Sequence, residues 1–416
     1  MRVIYADNNA TTRVAPEVSE AMAPFFTADY FNPSSMYEPA RRTAAAIKQA
    51  RRQIAGHLGL VDPDQILFTS CATESNNTAI FGTAKANPQR RHIITTAVEH
   101  PAVIEVCKDL ERSGCEVTFL AVDGHGNLDL GEFVRALRPD TLLVSIMHAN
   151  NETGVIFPVP QLSRITKETD PSIVFHTDAT QSVGKIPIDL MQEYRHVDLL
   201  SFSGHKLHAP KGIGGLYIKR GTPCRPLLIG GHQEEGRRAG TENTPYIVGL
   251  AKATELAAAR QADEETRIRS LRDRLEAVLT QRIPQVQVNG REAPRLPNTL
   301  NVSCHYVEGE GMLYQLSEQG ICASSGSDMS NRDAIFVILA GFAEAFGLER
   351  SRIAPTASLF DLGVDSLQLI ELTFRFEEEF KIQVPIETFS GKTTVAEAVA
   401  MIEGLIEAQV GAQATD

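Results

Sequence analysis

Tryptophan is absent from the 416 residues, and aromatic residues make up only 6% of them. No apolar run approaches the ~18 residues of a bilayer-spanning helix, so no membrane segment is expected. Blocks of Lys and Arg are also missing, and the formal net charge is −12, which argues against nucleic acid as a partner. The six cysteines, at 71, 107, 115, 224, 304 and 322, form no CxxC and no Cys/His ligand spacing. Neither a metal site nor a disulfide framework is therefore expected, and free thiols point to a reducing cytoplasm. The first residues, Met1-Arg-Val-Ile-Tyr-Ala-Asp7, lack the apolar core of a secretory leader. What is present is a globular composition, 43% apolar and 22% charged, long enough for two or three domains.

Charge divides the chain unevenly. Residues 329–416 hold 14 acids against 6 bases and contain no His or Cys, whereas residues 1–328 hold 38 acids against 34 bases. The shift predicts a domain boundary near 329. Before it, strand-like runs at 65–69, 92–96, 116–120, 142–147, 174–178 and 197–202 alternate with helical stretches. That alternation predicts an α/β fold with a mostly parallel sheet, its polar residues gathered just after the strands, where such sheets bind ligands. Residues 40–59 and 247–283 read as helices, 286–288 and 299–303 as strands of a smaller domain, and 307–320 as a further helix. The stretch 321–331 reads as a Ser/Gly loop, and 333–346 and 366–380 as helices.

Lys206 is the first candidate for chemistry. It follows a buried strand and two serines, Ser201 and Ser203, beside His205, and Gly and Pro residues come after it. Burial and neighbouring cations lower a lysine's pKa, which frees the amine to attack a carbonyl. A solvated lysine in a Gly-rich loop has the same local sequence. Asp178, at the end of the strand starting near 174, has the chemistry to pair with a protonated pyridine nitrogen, or simply to cap a turn. His100, after another strand, is placed to lie over an aromatic ring or to be a satisfied turn histidine. The Ser/Thr-rich start of the helix near 72 offers backbone N–H groups to an anion.

Taken together, the motifs resemble the cysteine desulfurase family of pyridoxal phosphate (PLP) enzymes, in the class V aminotransferase group. The similarity runs from Tyr5-Ala-Asp-Asn-Asn-Ala-Thr-Thr12 through Glu99-His-Pro101, Thr177-Asp-Ala-Thr-Gln-Ser182, Ser203-Gly-His-Lys206 and Gly236-Arg-Arg-Ala-Gly-Thr-Glu-Asn243 to Ser324-Ser-Gly-Ser327. The resemblance implies an aspartate-aminotransferase-like fold over residues 1–328, with a large domain at about 15–250 and a partial small domain from 1–14 and 251–328. It implies that Lys206 holds PLP covalently and shuttles protons, and that Asp178 pairs with the ring nitrogen. Gln181 and Asn151 would face the ring hydroxyl and the substrate, while His100 would stack on the ring and assist proton transfer. Ala72, Thr73, Ser203 and His205 would bind the phosphate, and Thr241 would reach the phosphate of a second subunit, which implies a homodimer. Family members take sulfur from L-cysteine, releasing alanine, and pass it to an acceptor protein, as in iron–sulfur cluster assembly.

Two departures stand out. Where the family's loop carries a nucleophilic cysteine, this chain reads Ser324-Ser-Gly-Ser-Asp-Met329. A thioether cannot form the persulfide that cysteine forms, and Cys322, seven residues earlier, is poorly placed to replace it. The family's later arginine-containing stretch, which binds the substrate carboxylate, is missing. In its place Phe360-Asp-Leu-Gly-Val-Asp-Ser-Leu367 resembles the attachment site of acyl carrier proteins. That resemblance implies an all-α four-helix carrier domain at 329–416, with 4′-phosphopantetheine on Ser366, loaded by a phosphopantetheinyl transferase and served by acyl-transfer enzymes. Ser366 as a simple helix cap is the alternative. The expected function is a desulfurase-like PLP protein fused to a carrier, with turnover impaired. The other readings are a PLP lyase or aminotransferase acting on a carrier-tethered substrate, and a non-catalytic scaffold displaying the carrier.

Overall fold

The computed structural model describes residues 3–304, 307 and 309–326, together with 384–385, 393–394, 397–398 and 401. Two compact units emerge, Met1–Ser325 and Gly326–Asp416. Met329 and Ser366, and the helices expected at 333–346 and 366–380, lie outside the described residues.

Among its described residues the first unit has eleven strands. They are β1 (Ile4–Tyr5), β2 (Ile66–Thr69), β3 (His92–Thr96), β4 (Glu116–Leu120), β5 (Thr141–Ser145), β6 (Val174–Asp178), β7 (Leu199–Ser203), β8 (Gly214–Ile218), β9 (Val286–Val288), β10 (Val302–Cys304) and β11 (Ile321–Cys322). Seven form one sheet in the order β2-β8-β7-β6-β5-β3-β4. Six share one direction, and β8 alone runs antiparallel, between β2 and β7. Strands β2, β3, β5, β6 and β7 are buried along their whole length. That is why each reads as an apolar run and not as an alternation.

The helices are α1 (Pro16–Met22), α2 (Pro24–Thr27), α3 (Glu38–His57), α4 (Ala72–Ala86), α5 (Pro101–Arg112), α6 (Leu130–Ala136), α7 (Val159–Thr169), α8 (Thr244–Asp263), α9 (Arg269–Arg282) and α10 (Gly309–Glu318). In α3 the buried residues Ala40, Thr43, Ile47, Ala50 and Ile54 repeat every three or four positions, giving one stripe that packs on α8. Against α1, α8 can approach closely only because Gly249 is there: a Cβ would stand 2.6 Å from Met22 Sδ. The helix expected at 247–283 is continuous, but a π-helical turn, Glu264–Ile268, divides α8 from α9.

Two elements differ from the sequence reading, and a third shows an unexpected surface. The stretch after Lys206 contains strand β8, whose Gly-Gly start conceals its pattern. Ile321–Cys322 is a strand rather than loop, paired in parallel with Ile4–Tyr5. The helix α9 buries Glu276, held by Arg295 at 2.7 Å, and exposes Leu271, Leu275 and Val278 at helical spacing. Such an apolar stripe is the mark of a face built to be covered.

Of the second unit, Val384 and Ala398 are buried. Thr394 and Glu397 form a reciprocal capping box: the Thr394 N–H donates to Glu397 Oε2 at 2.9 Å, and the Glu397 N–H to Thr394 Oγ1 at 3.3 Å. This is a local helix-start signal within the carrier-like sequence. Among the described residues no helix is long and apolar enough to cross a membrane.

Candidate active site

The carboxyl ends of β6 and β7, the turns after β3 and β5, and the start of α4 converge, and the N-terminal segment 7–12 closes over them. Lys206 ends a 3₁₀ turn, Gly204–Lys206, that continues β7. Its Nζ donates to the main-chain carbonyls of Asn9 and, at 2.9 Å, Ala10. Burial lowers its pKa, while the charges of Asp7 and Asp178 pull the other way. An amine eased toward neutrality is what a carbonyl-binding lysine needs.

Asp178 closes β6 and is buried. Its Oδ2 accepts from Asn76 Nδ2 at 2.6 Å and its Oδ1 from the Thr180 N–H at 2.9 Å. The turn-capping and the functional readings of Asp178 are therefore compatible: one oxygen holds the turn, and α4 holds the other. Beneath it His176 spans Ser145 Oγ at 2.8 Å and Ser201 Oγ at 2.9 Å, and burial pushes its pKa down to about 4. A neutral imidazole there braces three adjacent strands. Gln181, also buried, donates from Nε2 to Asn9 O at 3.0 Å.

The residues expected to bind phosphate lie at the start of α4 and at the end of β7 or just after it. Ala72 and Thr73 open α4, whose N-cap Cys71 makes no side-chain capping bond. The first-turn carboxylate of Glu74 turns away, accepting from the Ser70 N–H at 2.7 Å and pairing with Arg238 at 2.9 Å. Those first N–H groups are thus left to an anion. Gly214 pairs with both Ser203 on β7 and Thr69 on β2, and a Cβ on it would lie 2.7 Å from the Cys71 carbonyl carbon. Glycine here lets the start of α4 settle against the sheet end that carries Ser203. Ser203 Oγ is buried and has no hydrogen-bond partner among the described residues. An orphaned buried hydroxyl beside an uncapped helix start fits a bound phosphate. His205 leans on Thr11 Oγ1 at 3.2 Å, and burial, with Lys206, Lys211 and Lys185 adding, lowers its pKa to about 4.

His100 is exposed and caps α5, its Nδ1 accepting from the Ala102 N–H at 3.1 Å. Asn151 lies in the turn after β5 and offers its carbonyl to Asn9 Nδ2 at 3.3 Å. Thr241 is exposed on the loop before α8 and has no bond to the other candidate residues. That loop is anchored by Arg51, which forms a two-pronged buried pair with Glu234 at 2.8 and 2.6 Å. Sequence reasoning assigned no role to Asn9, which joins Lys206, Gln181, Asn151, Asn298 and Thr299. Its only sequence signal was membership of the motif at 5–12.

Glu99, next to His100, was also missed. Its Oε1 accepts from the Met147 N–H at 2.7 Å and from Thr96 Oγ1 at 2.9 Å, which ties the β3–α5 turn to the end of β5. Burial, with the charge of Asp178 adding, pushes its pKa up from 4.5 to about 8. The folded chain therefore keeps a proton that the unfolded chain gives up. Stability from this group is full below pH 4.5 and is lost as pH rises through about 8. Glu99→Gln mimics the protonated acid and is expected to flatten that loss. Thermal melts at pH 6 and pH 9 check it; parallel pH dependence in both proteins would mean that Glu99 is ionised when folded.

Comparison with known proteins finds two matching families. Residues 4–340 match the aminotransferase class-V family and residues 337–402 the phosphopantetheine attachment site. A cysteine desulfurase of Trichormus azollae is 54% identical over 327 residues, covering 79% of this chain and 80% of its own. Cysteine desulfurase NifS of Azotobacter vinelandii is 50% identical, with the same coverage. Among solved structures, a NifS-like protein superposes with a TM-score of 0.75 at 41% identity, covering 78% of this chain and 88% of that one. DndA from Streptomyces lividans gives 0.66 at 38% identity, covering 74% and 87%.

Proposed function

The chain belongs to the class-V aminotransferase family, with cysteine desulfurases as its relatives and a phosphopantetheine attachment domain at its C-terminal end, and on that premise we propose that it is a PLP-binding, desulfurase-like body with little turnover of its own, joined near residue 329 to a working carrier. Its cofactors are PLP and 4′-phosphopantetheine. PLP supplies an electron sink for chemistry at an amino acid's α-carbon. The chain's own residues supply the rest. Lys206 is the covalent anchor and the proton carrier, and Asp178 holds a proton on the ring nitrogen. Ser203, His205 and the N–H groups of Ala72 and Thr73 hold the phosphate. With PLP bound, Gln181 and Asn151 would help orient cofactor and substrate, and His100 would help hold the cofactor and assist proton transfer.

The observation that carries the reading of weak turnover is the residue at 329, a methionine where the family's loop has its nucleophile. Cys322 is held in strand β11 beside Tyr5, not on a free loop, which argues against its taking over. The uncovered stripe on α9 supports a small domain that lacks its closing part. A homodimer is supported by the loop that bears Thr241: Leu228 and Ile229 on the same loop are exposed, Ile229 at 88%. L-cysteine is the proposed amino acid ligand, and a phosphopantetheinyl transferase the proposed modifying partner.

The carrier assignment rests on Asp365-Ser366-Leu367. Incubation with a phosphopantetheinyl transferase and coenzyme A is expected to add one phosphopantetheine to the chain, and Ser366→Ala to block the addition. A wild-type chain that stays unmodified while a control carrier is loaded would reduce Ser366 to a helix cap.

A further inference from the structure

Lys185 is 8% exposed, and among the described residues no carboxylate lies within ion-pair distance of it. Its Nζ donates to Gln181 Oε1 at 3.0 Å. From the other side, Gln181 Nε2 donates to the Asn9 carbonyl at 3.0 Å, the same carbonyl that receives Lys206 Nζ. Four residues thus form one chain, Lys185 to Gln181 to Asn9 to Lys206, buried at its Lys185–Gln181 end and half-buried at Asn9 and Lys206.

A primary amide can be turned over, exchanging its oxygen for its nitrogen at almost no intrinsic cost. Its neighbours decide which face it presents. An ammonium group only donates, and a main-chain carbonyl only accepts. With Lys185 on one side and Asn9 O on the other, a single orientation satisfies both. The reversed amide would set N–H₂ against the ammonium and oxygen against the carbonyl, leaving two buried contacts repulsive. In the selected orientation the second Nε2 hydrogen remains available for an acceptor oxygen beside Lys206.

We infer that Lys185 is a positioning residue: it locks the Gln181 amide with its N–H₂ toward the pocket at Lys206, where it donates to an oxygen of the bound cofactor. This inference rests on the proposed seating of PLP at Lys206. Burial, with the charge of Lys206 adding and Glu264 opposing, lowers the Lys185 pKa to about 7. The neutral amine keeps N–H donors but gains an accepting lone pair, so the lock on the amide is strongest when Lys185 is protonated. A buried cation with one amide as its polar partner is costly to the fold. Its removal should therefore spare stability while releasing Gln181, the reverse of what a structural residue would do.

The test compares Lys185→Met, Lys185→Gln, Gln181→Ala and the double variant Lys185→Met/Gln181→Ala. The readouts are the melting temperature of the apoprotein, PLP affinity by absorbance titration without substrate, and the absorption maximum of the bound cofactor. Lys185→Met is expected to melt at or above the wild-type temperature. Its PLP affinity should fall about tenfold, the loss of roughly one hydrogen bond, with a shifted absorption maximum. Gln181→Ala should match it, and the double variant should be no worse than either. Lys185→Gln keeps an N–H donor and should recover most of the affinity. The inference is overturned if Lys185→Met binds PLP with wild-type affinity and spectrum, or if the two losses add in the double variant. A parallel fall in melting temperature and affinity would also overturn it, because Lys185 would then be structural. Failure of the underlying site is seen separately, as cofactor still bound covalently in Lys206→Ala.

Discussion

Alanine release from L-cysteine is expected to be at least about three powers of ten slower than that of a related cysteine desulfurase assayed alongside. The expected loss follows from the absence of a nucleophile that acts only in the chemical step. A thiolate must attack the substrate sulfur, and Met329 offers a thioether that neither ionises nor keeps the transferred sulfur. Removing a nucleophile of this kind lowers the rate by several orders of magnitude in enzymes where it has been deleted. Of the other cysteines, Cys107 is buried with its thiol pushed up to about 12, and Cys224 to about 11, so neither is a thiolate at neutral pH. Met329→Cys alone should restore little, because the stretch that clamps the substrate carboxylate is also missing and a two-pronged charge contact goes with it. Alanine release at an ordinary enzymatic rate would show that Cys322 or a partner's thiol does the work.

Lys206→Ala is expected to abolish covalent PLP altogether. Three lysines lie near enough for their charges to act on His205: Lys206, Lys211 and Lys185. Lys206 is the one in contact with the carbonyls of the closing segment and within the fields of Asp7 and Asp178. Lys185 is deprotonated more readily, but its amine is turned onto Gln181 behind the pocket. Ease of deprotonation and placement thus favour different residues, and placement decides, since an amine that cannot meet the carbonyl does not react at any pKa. After borohydride reduction and gel filtration, the variant should carry no cofactor absorbance. Retained absorbance at the wild-type level would contradict this.

The sheet was legible because five of its seven strands are buried along their whole length. Runs such as Ile66–Thr69 and Leu199–Ser203 have no competing helical period, and the polar residues that follow them form the candidate site. Strand β8 was hidden because two of its five residues are glycines, required by the close approach of Cys71 and Phe202. A two-residue pairing such as β1 with β11 has no periodicity to read, since partners 317 positions apart specify it. Asn9, Glu99 and Lys185 were missed for a related reason. Asn9 and Glu99 act through residues far along the chain, Lys185 through Gln181 four positions before it, and each looks locally like an ordinary polar residue in a turn. The opposite holds for Lys206, Asp178 and Ser203, whose strand-end positions announce a site. Thr241 was legible only through resemblance, and this single chain does not bring it to the other site residues. The presence of a second, phosphopantetheine-attachment family after the first was legible from the shift in charge and the motif at 360–367.

Peptide mapping of the borohydride-reduced wild-type chain tests the account most directly. The account predicts a single pyridoxyl-phosphate adduct, on the peptide containing Lys206, formed with PLP alone and without any amino acid substrate. An adduct on Lys185 or Lys211, or no adduct at all under conditions that label a related desulfurase, would contradict it.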